Sequence, residues 1–143
     1  MTRLLRALVW LSALLLPLAA QAHEYEVGQV WEYRTAEGDE DSLIRIQQIE
    51  FIGPNGEMEV FHISMINIRL EDGSLMPEIM HLPVSERTLD GSVTALSDSD
   101  AAFPDHREGL AQWREANGGV FTITLAEIAD TIRIAMAQAN SRK

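Results

Sequence analysis

Histidines are the side chains of this sequence best suited to acid–base or metal chemistry near neutral pH. The chain has four, His23, His62, His81 and His106, and it has no cysteine, which excludes thiol nucleophiles and cysteine-based zinc sites. No two histidines have the His-x-His or His-x-x-x-His spacing of a metal motif. If the protein is a small metal-binding or hydrolytic protein, we expect His62 and His81 to act with nearby carboxylates. The simpler interpretation of His62 is a hydrogen-bonded core histidine, since its neighbours are apolar.

The amino terminus offers a separate metal hypothesis. If a leader is removed after Ala22, the chain begins with His23, whose free α-amine and imidazole could together chelate a metal such as Cu(II). A second histidine would have to complete that site, and a frayed terminus is the simpler interpretation. His23 is thus the one candidate metal ligand at the terminus, and no cofactor is predicted.

The familiar catalytic and nucleotide-binding motifs are absent. There is no Gly-x-Ser-x-Gly, Gly-x-Gly-x-x-Gly or Walker pattern. A calcium loop counted from Asp98 fails, because it has Phe103 where glycine is required and Gly109 where glutamate is required. These absences favour a non-enzymatic protein, and no catalytic residue is predicted.

An apolar stretch interrupts an otherwise polar connection in the middle of the chain. Leu75, Met76, Ile79 and Met80 lie within it. They either cap one end of the predicted sheet or form an exposed contact patch, and they are predicted binding residues.

Residues 1–22 have the features of an export signal. Arg3 and Arg6 precede the apolar run Ala7–Leu18, and Ala20–Ala22 fits a small-x-small cleavage site. The apolar run is shorter than the ~20 residues that span a bilayer. We therefore expect cleavage and a periplasmic or secreted protein with no membrane attachment.

The charge of the chain is strongly negative. Its 143 residues include 22 acidic and 11 basic side chains, a formal net charge of −11, and the leader contains no acidic residue. An acidic surface repels nucleic acid and anionic membranes but attracts a basic protein. A basic protein partner is therefore predicted.

Three strands are predicted in the first half of the mature chain. Alternating apolar residues place them at Gln29–Thr35, Leu43–Ile52 and Met58–Leu70. Turn residues at Gly53–Gly56 predict a hairpin between the second and third strands. The acidic segment Ala36–Ser42 is expected to turn in solvent.

Helical spacing follows in the second half. Ser85 is a predicted N-cap for a helix carrying Leu89, Val93 and Leu96, and a second helix follows Asp105. The last helix begins at the capping box Thr124–Glu127 and has a continuous apolar stripe. We therefore expect one α+β domain over residues 23–143, with an antiparallel sheet of three to four strands packed on one face by about three C-terminal helices.

Short segments distributed along the mature chain carry a resemblance to a known family. They are Gly28–Trp31 with Tyr33 and Thr35, His81–Ser85, Ser92–Thr94, Trp113 and Gly119–Thr122. In these segments the chain resembles a small family of uncharacterised bacterial proteins. The resemblance implies a shared fold, and because that family has no assigned activity it implies no catalytic residue.

Three functions are compatible with these observations. The leading one is an exported acidic binding module, inhibitor-like or immunity-like toward a basic protein. The alternatives are the small metal-binding or hydrolytic periplasmic protein described above and a structural component of the cell envelope. They predict different observations, namely a salt-sensitive partner, convergence of two histidines in a pocket, and stable oligomers.

Overall fold

The sheet of this protein has five strands, all antiparallel, in the spatial order β4-β3-β2-β1-β5. The structure is a computed structural model that describes residues 23–142, so the predicted leader lies outside the described residues. The elements are β1 (Val30–Tyr33), β2 (Leu43–Ile52), β3 (Met58–Ile66), β4 (Ile79–Ser85), α1 (Glu86–Asp90), β5 (Val93–Ser97), α2 (Arg107–Glu115) and α3 (Leu125–Asn140). This is the predicted α+β class, with more strands than the three or four expected.

Strand β3 is buried on both of its faces. Successive side chains of a strand point to opposite sides, so Phe61 and Ile63 lie on one face while His62 and Ser64 lie on the other. All four are at most 1% exposed. β2 and β4 pair with β3 on either side, and the hairpin predicted at Gly53–Gly56 joins it to β2. The prediction that this strand lies inside the sheet is confirmed.

Helix α3 covers the apolar face of the sheet. Its residues Leu125, Ile128 and Ala129 are buried in the same cluster as Phe61 and Ile63. Each large apolar side chain buried there contributes about 1.5–3 kcal/mol. The predicted capping box is present, since the Thr124 side chain accepts from the Glu127 amide and the Glu127 carboxylate accepts from the Thr124 amide. None of the helices within residues 23–142 is long and apolar enough to cross a membrane.

Helix α2 lies on the opposite, polar face. The ring of its Trp113 contacts that of His62 edge to face, with centroids 5.0 Å apart. A Cβ added to Gly109 would come within 2.6 Å of the His81 Cβ, so the helix backbone lies directly against β4. Helices therefore cover both faces, and the expectation that they pack on one face is corrected.

Strands β4 and β5 are the elements that the sequence patterns did not predict. Pro83 lies in β4, which is possible because β4 is an edge strand. Val93 and Leu96 were expected to continue the helix that Ser85 caps, but α1 ends at Asp90 and both residues belong to β5. Pairing with β1 outweighs the helical spacing, because β5 satisfies the β1 backbone groups that a longer helix would leave unpaired at the edge of the sheet.

The acidic turn between β1 and β2 is not wholly solvated, contrary to expectation. Asp39 is 1% exposed, forms an ion pair with Arg133 of α3, and accepts a hydrogen bond of 2.8 Å from the Arg69 amide. Arg133 also donates to the Arg69 carbonyl at 2.7 Å. One buried carboxylate thus fixes α3 against the end of the sheet.

We expect the substitution Asp39→Ala to lower the free energy of unfolding by about 3 kcal/mol, because it leaves the Arg133 guanidinium without its buried counter-charge. Urea denaturation followed by circular dichroism measures the change. Asp41→Ala is the matched control in the same turn, and since Asp41 is exposed its effect should stay below about 0.5 kcal/mol. Equal effects of the two substitutions would show that the Asp39 ion pair does not stabilise the fold.

Candidate functional site

Three polar side chains on the α2-covered face form a hydrogen-bonded chain across three strands. His62 of β3 lies opposite Gln48 of β2 and Pro83 of β4. Glu50 and His81 lie two residues from those partners, so they are diagonal neighbours of His62 on the same face. His62 Nε2 is 2.7 Å from Glu50 Oε1, and His62 Nδ1 is 2.8 Å from His81 Nε2. The structure therefore brings His62 and His81 together with a carboxylate.

The direction of these hydrogen bonds follows from the carboxylate. An ionised carboxylate only accepts, so His62 Nε2–H donates to Glu50, and the Nδ1 of neutral His62 must accept from His81 Nε2–H. His81 Nδ1 is then the unprotonated nitrogen. It has no hydrogen-bond partner among the described residues, and His81 as a whole is partly exposed. The hydrogen-bonded chain therefore ends at the lone pair of His81 Nδ1, and the hydrogen bond to His62 determines the tautomer of the His81 ring.

The surroundings keep both rings neutral at neutral pH. Burial lowers the pKa of His62, and the hydrogen bond to Glu50 offsets only part of this effect. Burial also lowers the pKa of His81, to about 4, and the nearby basic groups of His62 and His106 add to the shift. For Glu50 burial raises the pKa, but the hydrogen bonds from Arg114 and His62 outweigh it, so the net pKa is lowered.

The Trp113 ring packs against the rings of His62 and His81, and it lies between two clefts. Its indole Nε1 donates to the Gly119 carbonyl at 2.9 Å. A Cβ on Gly118 would stand 2.1 Å from the Trp113 ring, so only glycine fits there. One cleft of about 350 Å³ lies between Trp113 and Ile52, and another of about 360 Å³ lies between Trp113 and Phe121. Neither histidine lines these clefts, so convergence of the two histidines is shown but a pocket around them is not.

His62 and His81 stand out in the sequence by residue type, but no pattern in the sequence identifies Glu50, Arg114 or Trp113 as their partners. Arg114 donates to Glu50 Oε2 at 3.0 Å and so holds the far end of the chain. Diagonal placement of Glu50 depends on the strand register, which shifts between Ile46 and Gln48. The spacing of residues in the sequence does not predict this register shift.

The apolar stretch contributes both to the core and to the surface. Met76 is only 5% exposed and belongs to the core cluster, and Ile79 packs against that cluster. Leu75 and Met80 are 56% and 43% exposed. Met80 precedes His81 in β4, and its carbonyl accepts from the Ser64 hydroxyl at 2.7 Å. A binding role for these four residues stays a prediction.

His23 lies apart from the hydrogen-bonded chain. Its ring contacts those of Trp31 and Tyr25, with centroids 5.2 and 6.0 Å away. Within residues 23–142 there is no group of three or more histidine and carboxylate side chains that could hold a metal ion. Among residues 23–142, no other histidine ring is in contact with that of His23.

A second feature is a groove of about 650 Å³ beside α1 and the start of α3. Its lining contains three carboxylates and one arginine. The lining residues are Glu86, Arg87, Asp90, Gly91, Thr122, Ile123, Thr124 and Glu127. We call this feature the acidic groove. Hydrogen bonds from the Thr124 side chain and amide lower the pKa of Glu127.

Comparison with protein-family models, with curated proteins and with solved structures finds no match to this chain. The geometry of the two features is therefore the basis for a functional proposal.

The pKa of His81 predicts how stability depends on pH. Between its ordinary value of 6.5 and about 4 the unfolded chain binds more protons than the folded one, so stability falls as pH falls through that window. We expect a loss of about 1–3 kcal/mol between pH 7 and pH 4 from this group, discounted for its partial exposure.

Urea unfolding at several pH values, with ring NMR titration of His81, measures this dependence. The variant His81→Gln should reduce the slope between pH 6.5 and 4, because one of the two histidines with a lowered pKa is gone and only His62 remains. The substitution His23→Gln, which removes an exposed histidine that lies apart from His81, is the control. An His81 that titrates near 6.5 in the folded protein would contradict the burial argument.

Proposed function

We propose that the protein is an exported, non-enzymatic binding module that recognises a basic protein partner. The observation that carries this proposal is the acidic groove. Its lining contains the three carboxylates of Glu86, Asp90 and Glu127 and a single arginine. A lysine or arginine side chain of a partner fits such a groove, with its charged end near the carboxylates.

The groove also offers apolar contact. Ile123 is 41% exposed and lines it. Long basic side chains place their methylene stems on apolar surface while the charge stays near water. A mixed lining of carboxylates and one isoleucine is therefore better suited to a basic side chain than to a small metal ion.

The wider surface supports association with a positively charged protein. Arg107, Arg114 and Arg133 already form ion pairs with carboxylates of the same chain. The excess of acidic residues remains available to solvent, and complementary charge raises the association rate and disfavours acidic partners. Masking a basic functional surface is how an inhibitor or immunity protein of this kind would act.

The test is co-purification from a cell-envelope extract at about 50 mM and about 500 mM salt, since exposed charges are screened over roughly 14 and 4 Å respectively. The protein should retain a basic partner only at low salt. Charge reversal by Glu86→Lys should reduce retention by about five- to tenfold. Glu115→Lys, which makes the same change on α2, is the control and should reduce it less. Absence of any salt-sensitive partner would overturn the proposal.

A second candidate function rests on the chain Glu50–His62–His81. The unprotonated His81 Nδ1 has no hydrogen-bond partner among the described residues and is oriented by a carboxylate through a second imidazole, which is the geometry of a general base. The pKa of His81, about 4, makes it a weak base at neutral pH. This supports the hydrolytic alternative, with His81 accepting a proton from water and Glu50 and His62 as positioning residues.

Hydrolysis of p-nitrophenyl acetate tests this candidate. We expect the rate above buffer to fall by about a hundredfold in His81→Gln, in line with the usual contribution of a general base. Glu50→Gln should lower the rate less, and His23→Gln, which lies apart from these side chains, should leave it unchanged. Equal rates for the protein and His81→Gln would exclude the candidate.

A further inference from the structure

The outer edge of β5 is an unpaired sheet edge. β5 pairs with β1 on one side only and stands at the end of the strand order. Thr94, Ala95 and Leu96 are exposed, Leu96 by 57%. Among residues 23–142, no backbone hydrogen bond outside the β1 ladder involves residues 93–97. The strand therefore presents free amides and carbonyls to solvent.

The two edges of the sheet differ in protection. β4 contains Pro83, and Phe121 forms backbone hydrogen bonds with Pro83 and Ser85 at 2.9 and 3.0 Å. Soluble proteins guard sheet edges with prolines, charged residues or covering segments. β5 has the sequence Val-Thr-Ala-Leu-Ser, with neither proline nor charge. It has the composition of a strand that accepts another strand.

The charges around β5 favour one class of occupant. Asp98 and Asp100 follow the strand, and Glu32 of β1 lies opposite Ala95 and is exposed. Asp90 and Gly91, which line the acidic groove, precede the strand by two or three residues. Arg34 donates to the Gly91 carbonyl, but the flanks of the strand carry more acidic than basic groups. The edge is therefore complementary to an extended segment with a small or β-branched centre and basic ends.

A second copy of this chain fits the edge poorly. Antiparallel two-fold pairing about Ala95 would bring the acidic segment after β5 of one chain, with Asp98 and Asp100, toward the Asp90 end of β5 in the other. Like charges brought close together in this way repel. The charge pattern therefore selects against self-association and for a basic partner.

We infer that β5 binds an extended, basic segment of a partner protein as a sixth strand of the sheet. Main-chain hydrogen bonds along residues 93–97 hold that segment, and its lysine or arginine side chains face the acidic flanks. The inference rests on the proposed binding function and specifies how the partner docks.

A cyclic β-hairpin peptide is a suitable probe, because its exposed strand is already extended and loses little entropy on binding. One version carries lysines at both ends of a Thr-Val-Thr centre, and the other carries glutamates. Titration into the ¹⁵N-labelled full chain, purified after export, should produce saturable shifts of the amides of residues 93–97. The glutamate version should bind at least about tenfold more weakly.

The variant Ala95→Lys places a charge on the edge, and Ala111→Lys adds the same residue to the exposed surface of α2 as a control. We expect Ala95→Lys to weaken binding by at least about tenfold and Ala111→Lys by less than about twofold. Circular dichroism verifies that both variants fold. Equal binding by the two variants would overturn the inference.

Other results also decide the question. Probe shifts confined to the acidic groove, or no saturable shift at millimolar probe, would overturn docking on β5. Concentration-dependent shifts of residues 93–97 without probe would assign the edge to a second copy instead. If the partner captured from the envelope is retained equally by Ala95→Lys, only this inference fails, whereas absence of any salt-sensitive partner removes the proposed function itself.

Discussion

The double burial of β3 is the constraint on which the rest of the structure depends. One face of the strand is apolar and the other carries His62 and Ser64, yet both are removed from water. An apolar face needs only close packing, which α3 supplies. A polar face needs a partner for every buried donor and acceptor, and this requirement determines what lies against it.

The polar face is satisfied by a network that also positions α2. His62 is bonded on one side by Glu50 and on the other by His81, and Arg114 of α2 binds the free oxygen of Glu50. Trp113 then covers the His62 ring. The same contacts that satisfy a buried histidine therefore leave one imidazole nitrogen of His81 without a hydrogen-bond partner among the described residues. The hydrogen bonds among Glu50, His62 and His81 thus both stabilise the fold and position the candidate base His81.

Local signals in the sequence were sufficient for features that local interactions determine. The capping box at Thr124, the N-cap at Ser85 and the hairpin turn at Gly53–Gly56 all occur as predicted. Features that depend on distant pairing were not predictable. The spacing of Val93 and Leu96 fits a helix, and only the adjacent β1 makes them a strand.

The candidate site shows the same division. His62 and His81 were singled out by residue type, but their convergence and the role of Glu50 depend on the register of three strands. Asp39 was expected in solvent because its neighbours are acidic, and its partner Arg133 is 94 residues away. Sequence patterns describe a residue's neighbours along the chain, whereas burial of a charge depends on neighbours in space.

Native-state hydrogen exchange tests most directly the claim that β3 is a doubly covered strand and β5 an uncovered edge. We predict that the amides of β3 exchange only through global unfolding, while alternate amides of β5 exchange by small local openings many times faster. Uniformly slow exchange throughout β5, or exchange of β3 as fast as that of β5, would contradict the account.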